Sequence, residues 1–132
     1  MYKIYTSYFS NRIFKNWDRD DYRIPVCADL YGHIPFTKWY KELAPDLEIV
    51  QQYQKVRSKT KGIKDWFTEK YLHKLKMLRE SGVLDKYGKE LQELVKFNDV
   101  YLLCYERPNQ FCHRHLLAAY LNKFYDLDIE EY

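Results

Sequence analysis

A chain of 132 residues with 46% hydrophobic and 31% charged side chains suits one domain with one core, and it is too apolar to be disordered. A net charge of +3 is too mild to imply nucleic-acid binding by itself, and no apolar run approaches the roughly 18 residues that a membrane span needs. Aromatic side chains make up 18% of the chain, with 14 Tyr, which points to a core and cleft built from large amphipathic rings.

The N-terminus, Met1-Tyr-Lys-Ile-Tyr, lacks the long apolar segment of a signal peptide. Residues 2–6 alternate and predict a first strand, followed by a polar loop, Thr6-Ser7-Tyr8-Phe9-Ser10-Asn11. Residues 22–27 predict a second strand, with Pro25 arguing for an edge position or a strand end. A loop through Gly32-His33-Ile34-Pro35 leads to a short helix from about Thr37, a residue that can cap it. Helices follow over 46–58, 63–79 and 83–96. Ile63, Trp66, Phe67, Tyr71, Leu75 and Leu78 recur at helical spacing in the second, which Ser81-Gly82 stops. The third carries Leu84, Tyr87, Leu91, Leu94 and Val95 as its apolar stripe. The run Val100 to Tyr105 reads as a buried strand, a turn around Pro108-Asn109 follows, and a last helix covers about 112–124. Its buried stripe is predicted as Leu116, Leu117, Tyr120, Leu121 and Phe124. The acidic tail, Asp126, Asp128, Glu130 and Glu131, is expected to fray. Few strands and several helices give a single small α/β domain with a mostly parallel sheet flanked by helices, its first and last strands at the centre.

The most informative stretch is Cys112-His113-Arg114-His115. It puts a thiol, two imidazoles and a guanidinium in the first turn of a helix just past the carboxyl end of a strand. Open α/β sheets place ligand sites there, and helix N-termini favour anions. Arg114 and the free N–H groups of the turn are therefore expected to hold a phosphate or carboxylate. Ser7 and Asn11 orient the ligand from the first loop, with Tyr8 as stacking surface and His115 beside them. His113 or Glu106 moves protons. The alternative is structural: Cys112 packs, His113 bonds a carbonyl, and Arg114 pairs with Glu106 or an acidic surface group. Asp29 and His33 are further residues for the cleft.

The residues Leu102-Leu103-Cys104-Tyr105-Glu106 and Cys112-His113-Arg114-His115-Leu116-Leu117-Ala118 resemble the signature of the domain of unknown function 488 family. Ile4-Tyr5-Thr6-Ser7-Tyr8-Phe9-Ser10-Asn11 is similar to the opening of its shorter members. The resemblance covers roughly the first 11 and the last 35 residues. It implies a compact cytoplasmic α/β protein and carries no activity with it.

Three functions remain open on these residues. The leading expectation is a cytoplasmic protein that binds a small nucleotide-like or phosphorylated ligand, as a possible hydrolase or transferase. The second is a non-catalytic nucleic-acid- or protein-binding module using Lys55, Arg57, Lys59, Lys61 and Lys64, a run of positive charge flanked by Tyr53 and Trp66. The third is a thiol enzyme or redox sensor centred on Cys112, since a thiol at a helix N-terminus beside a cation is activated. The three cysteines, Cys27, Cys104 and Cys112, are an odd number in a chain read as non-secreted, so they are expected to be reduced. No cofactor and no metal are expected. The spacing of Cys104, Cys112, His113 and His115 is not a zinc pattern, and adjacent residues on a helix face different ways. Composition and pattern leave the oligomeric state undetermined.

Overall fold

The structure, a computed structural model, describes residues 2–11, 14, 21–28, 38–56, 59, 61–105 and 111–132. Glu106, the Pro108-Asn109 turn, Arg57, Asp29, His33 and the helix start at Thr37 lie outside those residues.

Four parallel strands form one sheet in the order β2-β3-β1-β4: β1 is Ile4–Tyr8, β2 Tyr22–Pro25, β3 Val100–Cys104 and β4 Glu130–Glu131. The helices described are α1 (Leu47–Val56), α2 (Ile63–Glu80), α3 (Val83–Leu94) and α4 (His113–Tyr125), with a 3-10 turn at Lys41–Leu43. This is the small α/β domain that the pattern predicts. β1 and β3 are central, and β2 is an edge strand whose last residue is Pro25, which has no N–H to donate.

Side chains of β3 serve both faces of the sheet, as the two-residue period of a strand requires. Val100 and Leu102 join Ile4, Ile24, Phe67, Tyr71, Leu75, Leu84, Leu91, Leu117 and Leu121 in the main core, so the described helices pack on that face. Tyr101 and Leu103 face a second cluster with Phe9, Phe14, Cys27, Cys104 and Cys112. Rings cover this side: Tyr5 stacks on Tyr101 at 5.3 Å, and Tyr132 and Phe14 meet Tyr101 edge-on.

Three sequence expectations are corrected. First, β1 runs to Tyr8, so Thr6 and Ser7 lie in the strand instead of the loop. Both are buried. Thr6 donates its hydroxyl to Glu131 at 2.6 Å, and Asn11 donates its side-chain amide to Ser7 at 3.1 Å, which meets their polar demand. Second, the acidic tail is built into the sheet. Asp126 reverses the chain with φ 54°, Asn122 clamps both backbone groups of Ile129, Ile129 is buried, and β4 pairs with β1. Third, the buried face of α4 is rotated relative to the predicted stripe. It runs through Arg114, Leu117, Ala118 and Leu121, while Phe124 is exposed beneath the Arg79 guanidinium at 3.9 Å from its ring. The rotation follows from Glu131, which neutralises a charge that a helix otherwise keeps outside.

Candidate functional site

The carboxyl ends of β1 and β3 and the amino end of α4 meet at one end of the sheet. Tyr8 is level with Cys104 across the β1–β3 ladder, and the backbone N–H of Phe9 donates to the Cys104 carbonyl at 3.0 Å. Ser7, Tyr8 and Asn11 therefore lie at the same sheet end as Cys104 and Cys112, which share the second cluster. Parallel pairing of neighbouring strands produces this juxtaposition.

The Sγ atoms of Cys104 and Cys112 lie at disulfide distance across a separation of eight residues, and Cys27 is buried and takes no part in that pair. This overturns the expectation of reduced cysteines. The argument from an odd count fails because Cys27 lies outside the disulfide while the other two are brought together at the junction of strand and helix. The free thiol nucleophile expected at Cys112 is likewise absent in this state.

Arg114 is fully buried. Its Nε and Nη2 donate to the two carboxylate oxygens of Glu131 at 3.1 and 2.8 Å, and its Nη1 donates to Cys104 Sγ at 3.0 Å. The fork geometry of guanidinium on carboxylate fixes the plane of the group, and with it the direction of Nη1. Burial raises the Glu131 carboxyl, but hydrogen bonds from Arg114 and Thr6 and the charges of Arg114 and His115 reverse that, and the net shift is downward. The partner that sequence reasoning sought at Glu106 or an unspecified surface acid is Glu131, in the segment expected to fray.

His113 is buried, and its Nε2 donates to the Val26 carbonyl at 2.6 Å. A carbonyl only accepts, so Nε2 carries the proton and Nδ1 holds a lone pair. Nδ1 lies 3.8 Å from Cys112 Sγ. The Tyr71 ring stands edge-on to the imidazole at 5.4 Å and limits its rotation. Burial pushes the His113 pKa down to about 4, against the Val26 hydrogen bond, with the charges of Arg114, Lys74 and His115 adding to the fall. His115 is half-buried. Its Nδ1 lies 3.8 Å from Glu131, and its Nε2 has no hydrogen-bond partner among the described residues. Burial lowers its pKa, with the Arg114 charge adding and the Glu131 charge opposing.

Cys104, Cys112 and His113 each offer a metal-ligating atom within 4.8 Å of the others. The expectation that neighbours 112 and 113 diverge assumed that both are helical. Cys112 is instead the N-cap, with an extended backbone at φ −147°, ψ 142°, so its sulfur and the His113 ring converge. In the basic segment, Tyr53 packs on Phe67 and Phe111, and Lys64 sits over the Phe111 ring at 5.9 Å. Tyr53 is thus committed to packing instead of presenting a free stacking face. Among the described residues no helix is long and apolar enough to cross a membrane.

A family profile described as "Active DUF488-N3 subclade" matches residues 14–124. No curated protein and no solved structure matches the chain.

Proposed function

This chain belongs to the DUF488-N3a subclade, and we propose that it is a thiol–disulfide switch protein in which Cys104 and Cys112 pass between a disulfide and a dithiol. The observation that carries this reading is the Arg114 guanidinium, locked by Glu131 with Nη1 at 3.0 Å from Cys104 Sγ. A fixed cation beside a sulfur favours its thiolate, and the stability of the departing thiolate governs the rate of disulfide exchange. In a cytoplasmic chain, the location read from the sequence, a disulfide is usually a transient or sensing one.

The chemistry balances as follows. A small thiolate attacks Cys112 Sγ, which sits at the N-cap of α4. An external mixed disulfide forms on Cys112, and Cys104 leaves as a thiolate against Arg114. A second thiol attacks the external sulfur and departs as a small disulfide, leaving two protein thiols. Nδ1 of His113 accepts a hydrogen bond from the Cys112 thiol so formed. The return step consumes a hydroperoxide. One thiolate takes an oxygen to become a sulfenic acid and releases an alcohol; the other thiol condenses with it and expels water. Burial of both sulfurs, with Cys104 1% and Cys112 4% exposed, restricts these exchanges to small reagents.

A phosphorylated or nucleotide-like ligand held by Arg114 has to compete with Glu131 for the same N–H groups, so the redox reading is preferred. Thiol counting under denaturing conditions tests it. Protein purified in air should show one thiol, Cys27, and three after dithiothreitol. Peroxide should restore the count of one, and Cys104→Ser or Cys112→Ser should abolish the cycle. Three thiols in air-exposed protein, unchanged by peroxide, would falsify the switch.

A further inference from the structure

The disulfide and the imidazole do not share a mechanism by accident of sequence. The N-cap conformation of Cys112 turns its sulfur onto the same buried point as His113 Nδ1, and the end of β3 delivers Cys104 Sγ there from the sheet. The three donor atoms lie within 4.8 Å of one another. We infer that reduction of the Cys104–Cys112 pair converts this point into a binding site for a zinc-class divalent cation, with both sulfurs and Nδ1 of His113 as ligands. The site rests on the redox reading in one respect: its two sulfur ligands are available only in the dithiol.

Three features carry it. Metal–sulfur and metal–nitrogen bonds of about 2.3 and 2.0 Å at tetrahedral or trigonal angles put a sulfur and a nitrogen ligand ~3.5–3.7 Å apart. Cys112 Sγ and His113 Nδ1 are already separated by 3.8 Å. The imidazole is also prepared as a ligand. Its Nε2 proton is engaged by the Val26 carbonyl at 2.6 Å, and such a bond from the far ring nitrogen is the usual outer support of a metal-bound histidine. Finally, charge selects the ion. Two thiolates and Glu131 against Arg114 leave a net charge of −2, which a divalent cation neutralises and a monovalent one does not. Thiolate donors exclude hard ions such as Mg2+ and Ca2+. Binding releases the protons that the two thiols carry, and the three-ligand set leaves a fourth position for water.

Cobalt(II) is the probe. Protein reduced with a phosphine and desalted without oxygen is titrated with Co2+ and followed by sulfur-to-cobalt charge-transfer absorption, and Zn2+ is then added to displace it. The expected result is one Co2+ per chain, full displacement by one equivalent of Zn2+, and no absorption in peroxide-oxidised protein. Cys104→Ser and Cys112→Ser should each weaken binding by more than about a hundredfold, and Cys27→Ser should leave it unchanged. Circular dichroism checks that each variant is folded; the Cys27 variant controls for adventitious thiol binding if the buried His113→Ala fails to fold. No band from reduced wild type, an undiminished band in either serine variant of the pair, or a band that needs Cys27 overturns the site. Thiol counts on the same samples separate the two readings. Three thiols after reduction with no cobalt band remove the metal site and leave the switch. A cobalt band from air-exposed protein that already has three thiols removes the switch and supports the site.

Discussion

Removing the Glu131 carboxylate tests the central electrostatic claim, that the C-terminal tail holds Arg114 in place. Glu131→Ala strips the acceptor from Nε and Nη2 of a guanidinium with no solvent exposure, and from the Thr6 hydroxyl. Removing one partner of a buried pair costs about 3–5 kcal/mol, because the other charge remains buried. The Glu131 side chain is 25% exposed, so water can partly replace it, and the lower end of that range applies. The expected loss is therefore about 3 kcal/mol, a large share of the ~5–15 kcal/mol that holds a domain together. Urea unfolding at pH 7 measures it, with the slope of the transition checked for constancy. Glu131→Gln keeps an acceptor but not the charge and should cost roughly half as much. The double variant Arg114→Met with Glu131→Ala removes both charges and should recover most of the loss. A Glu131→Ala loss below about 1 kcal/mol refutes the argument, as does a double variant no more stable than Glu131→Ala.

Other outcomes follow from the same geometry. Arg114→Met should slow reduction of the disulfide by a small thiol by roughly tenfold or more, the loss of one charge-assisted hydrogen bond to the departing Cys104 thiolate; an unchanged rate removes Arg114 from the exchange step. Stability should fall with acid in two windows. His113 is held near 4 in the folded state against about 6.5 unfolded, so the unfolded chain takes up the proton first, and stability present above 6.5 declines as pH drops towards 4, by roughly 3 kcal/mol. His115, also lowered, acts in the same direction, and Glu131, whose pKa is lowered from 4.5, adds a further loss below that value. Unfolding free energies that stay flat between pH 7 and 4.5 contradict the buried neutral imidazole. Gly88→Ala should destabilise by about 1–2 kcal/mol despite the better helix propensity of alanine, because the new Cβ falls 2.7 Å from the Tyr125 ring; a Tm equal to or above wild type disproves the tight α3–α4 approach.

Much of the frame was legible because it rests on local periodicity. The β3 run, the Pro25 edge and the left-handed Gly82 that separates α2 from α3 each announce themselves within a few residues. Parallel neighbours at the sheet centre then follow from the rules of connection. What escaped was every feature that depends on a distant partner. Arg114 reads as an anion-holding cation at a helix start until β4 brings Glu131 beside it from 17 residues away. Thr6 reads as loop until the same carboxylate accepts its hydroxyl. The tail looked too acidic to be ordered, and only Leu127 and Ile129, alternating with the acids of the charged run, hinted at a packed end.

The site itself divides along the same line. That a thiol, an imidazole and a guanidinium gather where a strand meets a helix is written in the sequence. Their relative orientation is not, because it turns on one backbone conformation. If Cys112 were the first residue of the helix, its sulfur and the His113 ring would point roughly 100° apart around the axis. As an extended N-cap it brings them to 3.8 Å and turns toward Cys104 as well. One residue of difference in where the helix begins thus decides between three unrelated side chains and a centre with two sulfurs, a fixed cation and a nitrogen lone pair. Helix boundaries are the least determined part of a pattern-based reading, and here the chemistry lies on the boundary.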